Sequence, residues 1–162
     1  VNIVIEPLFR EITMETKKVL VPIADGTEEL EAVTIIDVLR RAGAEVSAAS
    51  VNLRTVVASR RVCLQSDELI SECVGKMYDL VVCPGGMPGA ENLRDSSELT
   101  EILKNQNDSG RYYAAICASP AVIFQYHGLL QGKRATCYPA MSEKLENFTD
   151  EKVVADGNCI TS

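Results

Sequence analysis

The sequence of 162 residues has no tryptophan, one histidine, and too few basic residues to balance its acidic ones. Its 16 Lys and Arg stand against 23 Asp and Glu, which gives a net charge of −7. Nucleic-acid binding needs clustered Lys and Arg, so nucleic acid is excluded as a main partner. No apolar run approaches the roughly 20 residues of a membrane span, so the sequence predicts no membrane partner either.

A zinc site of the Cys/His type is also excluded, because such sites need several closely spaced ligands. His127 is the single histidine, and no two cysteines are spaced C-x-x-C. The six cysteines are Cys63, Cys73, Cys83, Cys117, Cys137 and Cys159. Several lie inside apolar runs, as buried free thiols do in reducing compartments. The sequence therefore predicts no bound metal, a cytoplasmic location, and chemistry at one or two of these thiols at most.

Hydrophobic residues make up 46% of the chain and charged residues 24%, a balance typical of a globular protein. The length is that of one domain. Residues 6–16 are charged and irregular, and both ends of the sequence resemble cut ends. We therefore predict that residues 1–16 are a linker or extension and that residues 17–162 form the domain.

Apolar, strand-like runs alternate with helical patterns from Lys17 onward. The predicted strands are residues 19–23, 45–51, 79–83, 112–117, 135–138 and 153–161. The predicted helices are residues 28–41, 97–105 and 120–126, with loop 107–110 after the second and a peripheral hairpin over 55–63. Strands that alternate with helices need crossover connections and form a mainly parallel sheet. The sequence therefore predicts an α/β fold, a three-layer sandwich.

Cys117 is the sharpest candidate for chemistry, because sites in such folds lie beyond the carboxyl ends of the strands. It follows an apolar strand and precedes a helix with Ser119 as the predicted cap and Pro120 in its first turn. This is the arrangement of a nucleophile elbow, and helix N-terminal amides can lower the pKa of a thiol. The alternative is that Cys117 is one more buried small hydrophobe.

Gly85 and Gly86 end another predicted strand, in the run Pro-Gly-Gly-Met-Pro-Gly. Bare backbone there can approach a ligand, and free amides can bind an oxyanion. The run is neither a dinucleotide fingerprint nor a phosphate loop, since G-x-G-x-x-G and Gly-Lys-Ser/Thr are absent. A plain loop is the alternative.

Three acidic residues, Glu28, Glu29 and Glu31, begin the first helix, where Asp25-Gly26-Thr27 offers a cap. Negative charge is favourable in a first turn, which is the simple explanation. Glu28 and Glu31 also fall on or beside the apolar stripe, and a carboxyl held against apolar surface can shuttle protons. Helical periodicity leaves the choice between these two open.

Three motifs together resemble the ThiJ/PfpI superfamily, and within it the branch of the parkinsonism-associated protein deglycase. The first is KVLVPIADGTEELE at residues 18–31, the second VVCPGGMPGAENL at 81–93, and the third AAICASP at 114–120. They occur in order and at compatible spacing, and the resemblance runs from about Lys17 to Ser162. It implies a flavodoxin-like fold, a homodimer, and no cofactor.

The resemblance also implies roles for individual residues. It maps the nucleophile onto Cys117, the carboxylic acid that hydrogen-bonds its thiolate onto Glu31, and oxyanion amides onto Gly86 and Ala118. Members of this branch act on small dicarbonyls without glutathione, turning methylglyoxal into lactate and glyoxal into glycolate, and protein deglycase activity is also claimed. The alternative for the same cysteine is an oxidative-stress sensor or chaperone-like protein without significant turnover.

The sequence departs from the family pattern in two places. Tyr138 stands before Pro139 where the family often has a histidine, and a tyrosine is a poorer base near neutral pH. We expect it to line the substrate site with Gly85, and we expect no Cys–His relay, since His127 lies about three helical turns from Cys117. Related chains also continue past Ser162 with a further helix, so we expect a longer natural chain, in which residues 1–16 join a preceding plant tandem domain.

Overall fold

The computed structural model describes residues 15–162 and builds them around a mainly parallel β-sheet. In chain order the strands are β1 Lys18–Ile23, β2 Glu45–Ser50, β3 Thr55–Val57, β4 Cys63–Gln65, β5 Glu68–Leu69, β6 Leu80–Cys83, β7 Tyr112–Ala115, β8 Val154–Asp156 and β9 Cys159–Thr161. The large sheet has the order β5-β2-β1-β6-β7-β9-β8, and its neighbours are parallel except β8 and β9. Strands β3 and β4 form the predicted peripheral hairpin. Residues 1–14 of the predicted linker or extension lie outside the described residues.

Helices cover both faces of the large sheet, which confirms the predicted three-layer α/β sandwich. They are α1 Glu29–Arg41, α2 Gly89–Arg94, α3 Ser97–Asp108 and a π-helix, Pro120–Gln125, with short 3-10 turns at Ile70–Glu72 and Pro139–Lys144. Helix α1 packs on one face, and α2, α3 and the π-helix pack on the other. No helix of the described part of the chain is both long and apolar enough to cross a membrane.

Strand β1 shows why the central strands of the large sheet are almost continuously apolar in sequence. Val19 and Val21 point toward α1, where the stripe that includes Ile36 packs against them. Leu20 points the other way, into the core beneath α2 and α3. Successive side chains of a strand face opposite sides, so a strand covered on both sides needs apolar residues at every position.

Residues 135–138 do not form the predicted strand. They make one isolated bridge, between Ala135 and Phe148. The Thr136 N–H donates to the side-chain oxygen of Thr161, and the Tyr138 N–H donates to the Cys117 carbonyl over 2.7 Å. These amides bind the side chain of Thr161 on β9 and the backbone of Cys117, and they do not pair with the backbone of a neighbouring strand.

Other local predictions also need correction. Helix α3 runs on to Asp108, so the predicted loop 107–110 begins later, and the short helix α2 was missed because its Gly-Met-Pro-Gly start resembles a loop. The predicted strand 153–161 is a hairpin of β8 and β9 that turns at Gly157. Thr27 does not cap α1: its hydroxyl accepts the Ala24 N–H over 2.9 Å instead.

Candidate active site

Three loops meet at the carboxyl edge of the sheet, because β1, β6 and β7 are consecutive parallel neighbours. They are the loop between β1 and α1 (residues 24–28), the loop between β6 and α2 (residues 84–88), and the turn after β7 (residues 116–119), which we call the elbow. Each loop was singled out in the sequence, but only the strand order places them side by side. The site is therefore built at the position where such folds place ligands.

Cys117 sits in the elbow with a left-handed backbone, at φ 62°. A non-glycine residue in this region costs roughly 1–3 kcal/mol and persists where its surroundings hold it. Here the Cys117 N–H donates to the Ser162 carbonyl over 2.8 Å, and its carbonyl accepts the Tyr138 N–H over 2.7 Å. These two bonds fix the strained backbone, so the thiol points from a defined position into the space between the loops.

Ser119 does not cap the helix after the elbow, contrary to the prediction. Its backbone is already helical, and its buried hydroxyl donates over 2.6 Å to the carbonyl oxygen of Pro84. The side chain therefore ties the elbow to the loop after β6. Sequence alone could not reveal this, because the Ser-Pro pair at a helix start indicates a cap and Pro84 is 35 residues away.

Glu31, in the first turn of α1, reaches the elbow. Its Oε2 accepts the Gly85 N–H over 2.7 Å and lies beside the Cys117 thiol, since a Cβ atom placed on Gly85 would be 2.9 Å from Glu31 Oε2 and 3.1 Å from Cys117 Sγ. Glu28 instead accepts a hydrogen bond of 2.6 Å from the Ser59 hydroxyl, beside the β3–β4 hairpin. Of the two carboxyls that periodicity left open, the structure brings Glu31 to Cys117.

Gly85 lies directly between the thiol and the carboxyl. A Cβ atom placed on it would be 2.7 Å from Cys117 Cβ and 2.9 Å from Glu31 Oε2. A side chain at this position would therefore fill the space in which the two groups meet. The absence of a Cβ at Gly85 therefore leaves room for Cys117 and Glu31 to approach each other, as well as room for a ligand.

Opposing effects act on the pKa of Cys117. Burial raises it, and the charge and hydrogen bond of Glu31 raise it further, whereas the backbone N–H groups of Ala118 and Gly86 lower it. The net pKa is above that of an ordinary cysteine, so the lowering expected from a helix N-terminus is outweighed while Glu31 is ionised. With the proton on Glu31, the same contact donates to the thiolate and stabilises its charge.

The loops of β1 and β6 touch through their backbones. A Cβ on Gly86 would lie 2.3 Å from the Glu28 nitrogen and 2.5 Å from the Gly26 carbonyl oxygen. Gly89 makes an equally close approach to Thr27. These contacts hold the start of α1, and with it Glu31, against the loop between β6 and α2, which we call the glycine loop. Gly86, which was predicted to bind an oxyanion, therefore also serves this loop-to-loop packing.

We expect Gly86→Ala to lower the free energy of unfolding by about 2–4 kcal/mol, since it adds a backbone clash to the cost of a left-handed alanine. Gly86 has a φ of 92°. Gly132 is a matched control with a φ of 70°, and a Cβ added to it would meet no atom within 4 Å, so only the conformational cost remains there. Urea unfolding of both variants measures the difference. Equal losses in Gly86→Ala and Gly132→Ala would refute the packing role.

The other candidates lie apart from this cluster or contribute only backbone. His127 Nε2 is 2.8 Å from the Arg94 carbonyl oxygen and 3.2 Å from Thr100 Oγ1, beside α2 and α3. The Tyr138 side chain is exposed, and its contact with the elbow is made by its N–H. Among residues 15–162, no three His, Cys, Asp or Glu side chains converge in a way that could hold a metal ion.

The six cysteines are all free, and they differ in environment. Cys63 is exposed on β4, and Cys117 is partly buried. The other four are buried: Cys73, Cys83, Cys137 and Cys159. Burial raises the pKa of Cys83, and it raises that of Cys159 to about 11. Of these thiols, Cys117 is the one beside a carboxyl and two backbone N–H groups at the carboxyl edge of the sheet.

A model of the DJ-1/PfpI family matches residues 17–162. The chain is 53% identical over 150 residues to Protein DJ-1 homolog B of Arabidopsis thaliana, an alignment that covers 91% of this chain and 34% of that protein. With Protein DJ-1 homolog A of the same plant, 38% of the relative is covered, so the chain spans about a third of the length of these curated relatives.

Two further similarities cover most of both proteins. A Caenorhabditis elegans protein named glutathione-independent glyoxalase DJR-1.2 is 32% identical over 148 residues, which cover 89% of this chain and 77% of that protein. A solved structure of oxidised Toxoplasma gondii DJ-1 superposes with a TM-score of 0.89 at 49% identity, and the match covers 91% of this chain and 82% of that one.

Proposed function

Because the chain belongs to the DJ-1/PfpI family, we propose that it converts methylglyoxal to lactate, and glyoxal to glycolate, without glutathione or another cofactor. The observation that carries this proposal is the position of the Glu31 carboxyl, which accepts the Gly85 N–H and lies beside the Cys117 thiol. It joins a nucleophile to a group that can exchange protons. The similarity to a Caenorhabditis elegans protein named as a glyoxalase supports the same activity.

The first step is addition of the Cys117 thiolate to the aldehyde carbon of methylglyoxal. A carbon–sulfur bond forms, and the carbonyl oxygen takes the electron pair and then a proton, which gives a hemithioacetal. The N–H groups of Gly86 and Ala118, which lower the pKa of the thiol, are the groups we propose to stabilise the developing oxyanion. Glu31 takes the proton of the neighbouring thiol and supplies it to this oxygen.

The second step moves a proton between neighbouring carbons. Ionised Glu31 removes the proton from the carbon bound to sulfur, and the neighbouring ketone oxygen takes the electron pair and, from the hydroxyl of the first carbon, a proton by way of an enediol. Glu31 then returns its proton to the second carbon, while the first carbon and its oxygen become a carbonyl. The product is a thioester of lactate on Cys117. Water then cleaves the carbon–sulfur bond, releasing lactate and restoring the thiol. We propose that the same thiolate acts on early glycation adducts of proteins: it forms its bond to the carbon derived from the aldehyde, and the bond from that carbon to the protein's amine or thiol breaks, so that the side chain leaves with a proton and the same hemithioacetal forms on Cys117.

The purified protein tests this proposal directly. Incubated with methylglyoxal in buffer free of glutathione, it should produce lactate at a rate proportional to protein concentration. Chromatography or NMR identifies the product, and heat-denatured protein at the same concentration corrects for thiols that react without a folded site. A rate no higher than that of the denatured control would overturn the proposed activity.

A second candidate function, oxidation sensing, is favoured by the hydrogen-bonding groups around the sulfur. A thiolate beside a carboxylic acid and two amides oxidises selectively, because these groups hold the oxygens of a sulfinate. Each peroxide gives one oxygen atom to the sulfur and leaves as water, so two peroxides convert the thiolate to a sulfinate.

Mild peroxide treatment should therefore add oxygen to Cys117 before Cys63, although Cys63 is the more exposed thiol. Intact mass followed by peptide mapping locates the added oxygens. Cys63 is the internal control, since it has exposure without the carboxyl of the elbow. Oxidation spread evenly over both peptides, or first at Cys63, would contradict a sensing role.

A further inference from the structure

The peptide group between Pro84 and Gly85 links two parts of the site that are distant in sequence. Its carbonyl oxygen accepts the Ser119 hydroxyl over 2.6 Å. Its N–H, which belongs to Gly85, donates to Glu31 Oε2 over 2.7 Å. One planar group therefore contacts the elbow through its oxygen and the carboxyl of Glu31 through its nitrogen.

The geometry of a trans peptide couples these two hydrogen bonds. The C=O and N–H point to opposite sides of the same plane, so the direction of one sets the direction of the other. When Ser119 holds the Pro84 carbonyl, it also fixes the line along which the Gly85 N–H approaches Glu31. A hydrogen bond at the carbonyl also polarises the amide and strengthens its N–H as a donor.

Ser119 is fully buried, with 0% of its surface exposed. A buried hydroxyl needs a hydrogen-bond partner, because leaving a buried donor or acceptor unpaired costs about 1–3 kcal/mol of folding free energy. That requirement explains why the hydroxyl is bonded, but many backbone oxygens could serve. Its actual partner is the Pro84–Gly85 peptide, whose N–H binds Glu31, the residue that exchanges protons in the proposed reaction.

We propose that Ser119 is a positioning residue, which acts through the Pro84–Gly85 peptide to hold the Glu31 carboxyl against the Cys117 sulfur. The role of this positioning in catalysis rests on the function proposed above. The contact itself affects the reactivity of Cys117 toward any electrophile, so it can be measured without turnover of a dicarbonyl.

Alkylation of Cys117 by iodoacetamide, followed across pH by peptide mapping, tests the proposal. We expect Ser119→Ala to change the rate constant at pH 7 at least about threefold, in the same direction as Glu31→Gln. In the Glu31→Gln background, Ser119→Ala should have no further effect, because the side chain it positions no longer has a charge or a proton to exchange with the thiol. If methylglyoxal is a substrate, kcat should fall about tenfold with KM unchanged, since the reacting groups are misplaced and binding is not.

Tyr113→Phe is the matched control, because it removes another buried hydroxyl that donates to a backbone carbonyl, that of Leu129, over 2.7 Å. It should lower stability and leave the alkylation profile unchanged. Ser119→Cys, which keeps the size and a weak donor, should lie between wild type and Ser119→Ala and covers the case that the alanine variant does not fold. Equal effects of Ser119→Ala with and without Glu31, or no effect in either background, would overturn the proposal whether or not methylglyoxal is turned over.

Discussion

Replacing Cys117 by serine is expected to lower kcat/KM for methylglyoxal by at least about 10³-fold, to the level of the denatured protein. A serine hydroxyl is not ionised near neutral pH, and a carboxylate such as Glu31 is too weak a base to ionise it. The backbone of residue 117 is held by Ser162 and Tyr138 through main-chain groups, so the oxygen should occupy the place of the sulfur without rearrangement of the elbow.

Lactate production by Cys117→Ser and Cys63→Ser, measured side by side, checks this expectation. Cys63→Ser is the matched control, because it makes the same atom exchange on the exposed strand β4. It should keep the wild-type rate. Thermal unfolding of both variants confirms that each is folded before rates are compared. Equal turnover by wild type and Cys117→Ser would remove the thiol from the mechanism and leave the fold without an assigned nucleophile.

Glu31→Gln is expected to lower kcat by about 10²–10⁴-fold, the usual contribution of a general acid–base residue. Glutamine has the shape of glutamate, and its oxygen can still accept the Gly85 N–H, so the contact between α1 and the glycine loop should survive. An amide does not exchange protons in this way, so the carbon-to-carbon transfer should fail after the thiol has added. We therefore expect an adduct of methylglyoxal to accumulate on Cys117, visible by intact mass.

Glu28→Gln provides the control for charge at the start of α1. Glu28 precedes Glu31 by one helical turn, and its carboxyl binds Ser59 rather than the elbow. The Glu28→Gln substitution removes one negative charge near the same helix end as Glu31→Gln does, so a general electrostatic effect would slow both variants alike. Rates of Glu28→Gln within about twofold of wild type, with a large loss in Glu31→Gln, would assign the effect to the proton shuttle. A Glu31→Gln variant that keeps more than about a tenth of the wild-type kcat would contradict that assignment.

The two catalytic variants and Gly86→Ala test different properties of the same set of loops. Cys117 and Glu31 supply groups that react, and their conservative replacements should leave stability nearly unchanged. Gly86 supplies no reacting side chain, and its replacement should cost stability because the loops of β1 and β6 touch there. Separate measurements of unfolding and turnover therefore distinguish the chemistry of the site from the packing that assembles it.

Much of the fold could be predicted from the sequence, because local pattern reports burial directly. The continuous apolar runs of β1 and β6 belong to strands covered on both faces, and the apolar stripe of α1 packs on one of those faces. Predictions failed where a backbone group binds something remote. Residues 135–138 have strand-like composition, but the partners of their amides are Thr161 and the Cys117 carbonyl, which no local pattern identifies.

Local pattern was enough to identify which loops could carry chemistry, since Cys117, the glycine pair and the acidic helix start all follow apolar runs. How these loops combine depends on the fold. Periodicity places Glu28 and Glu31 on similar faces of α1, and the order of strands β1, β6 and β7 brings Glu31 to the thiol. Ser119 shows the same limit: its position indicates a helix cap, and its hydroxyl binds Pro84 instead. Hydrogen bonds between loops depend on distances and angles across the sheet, and these exist only once the strands have paired.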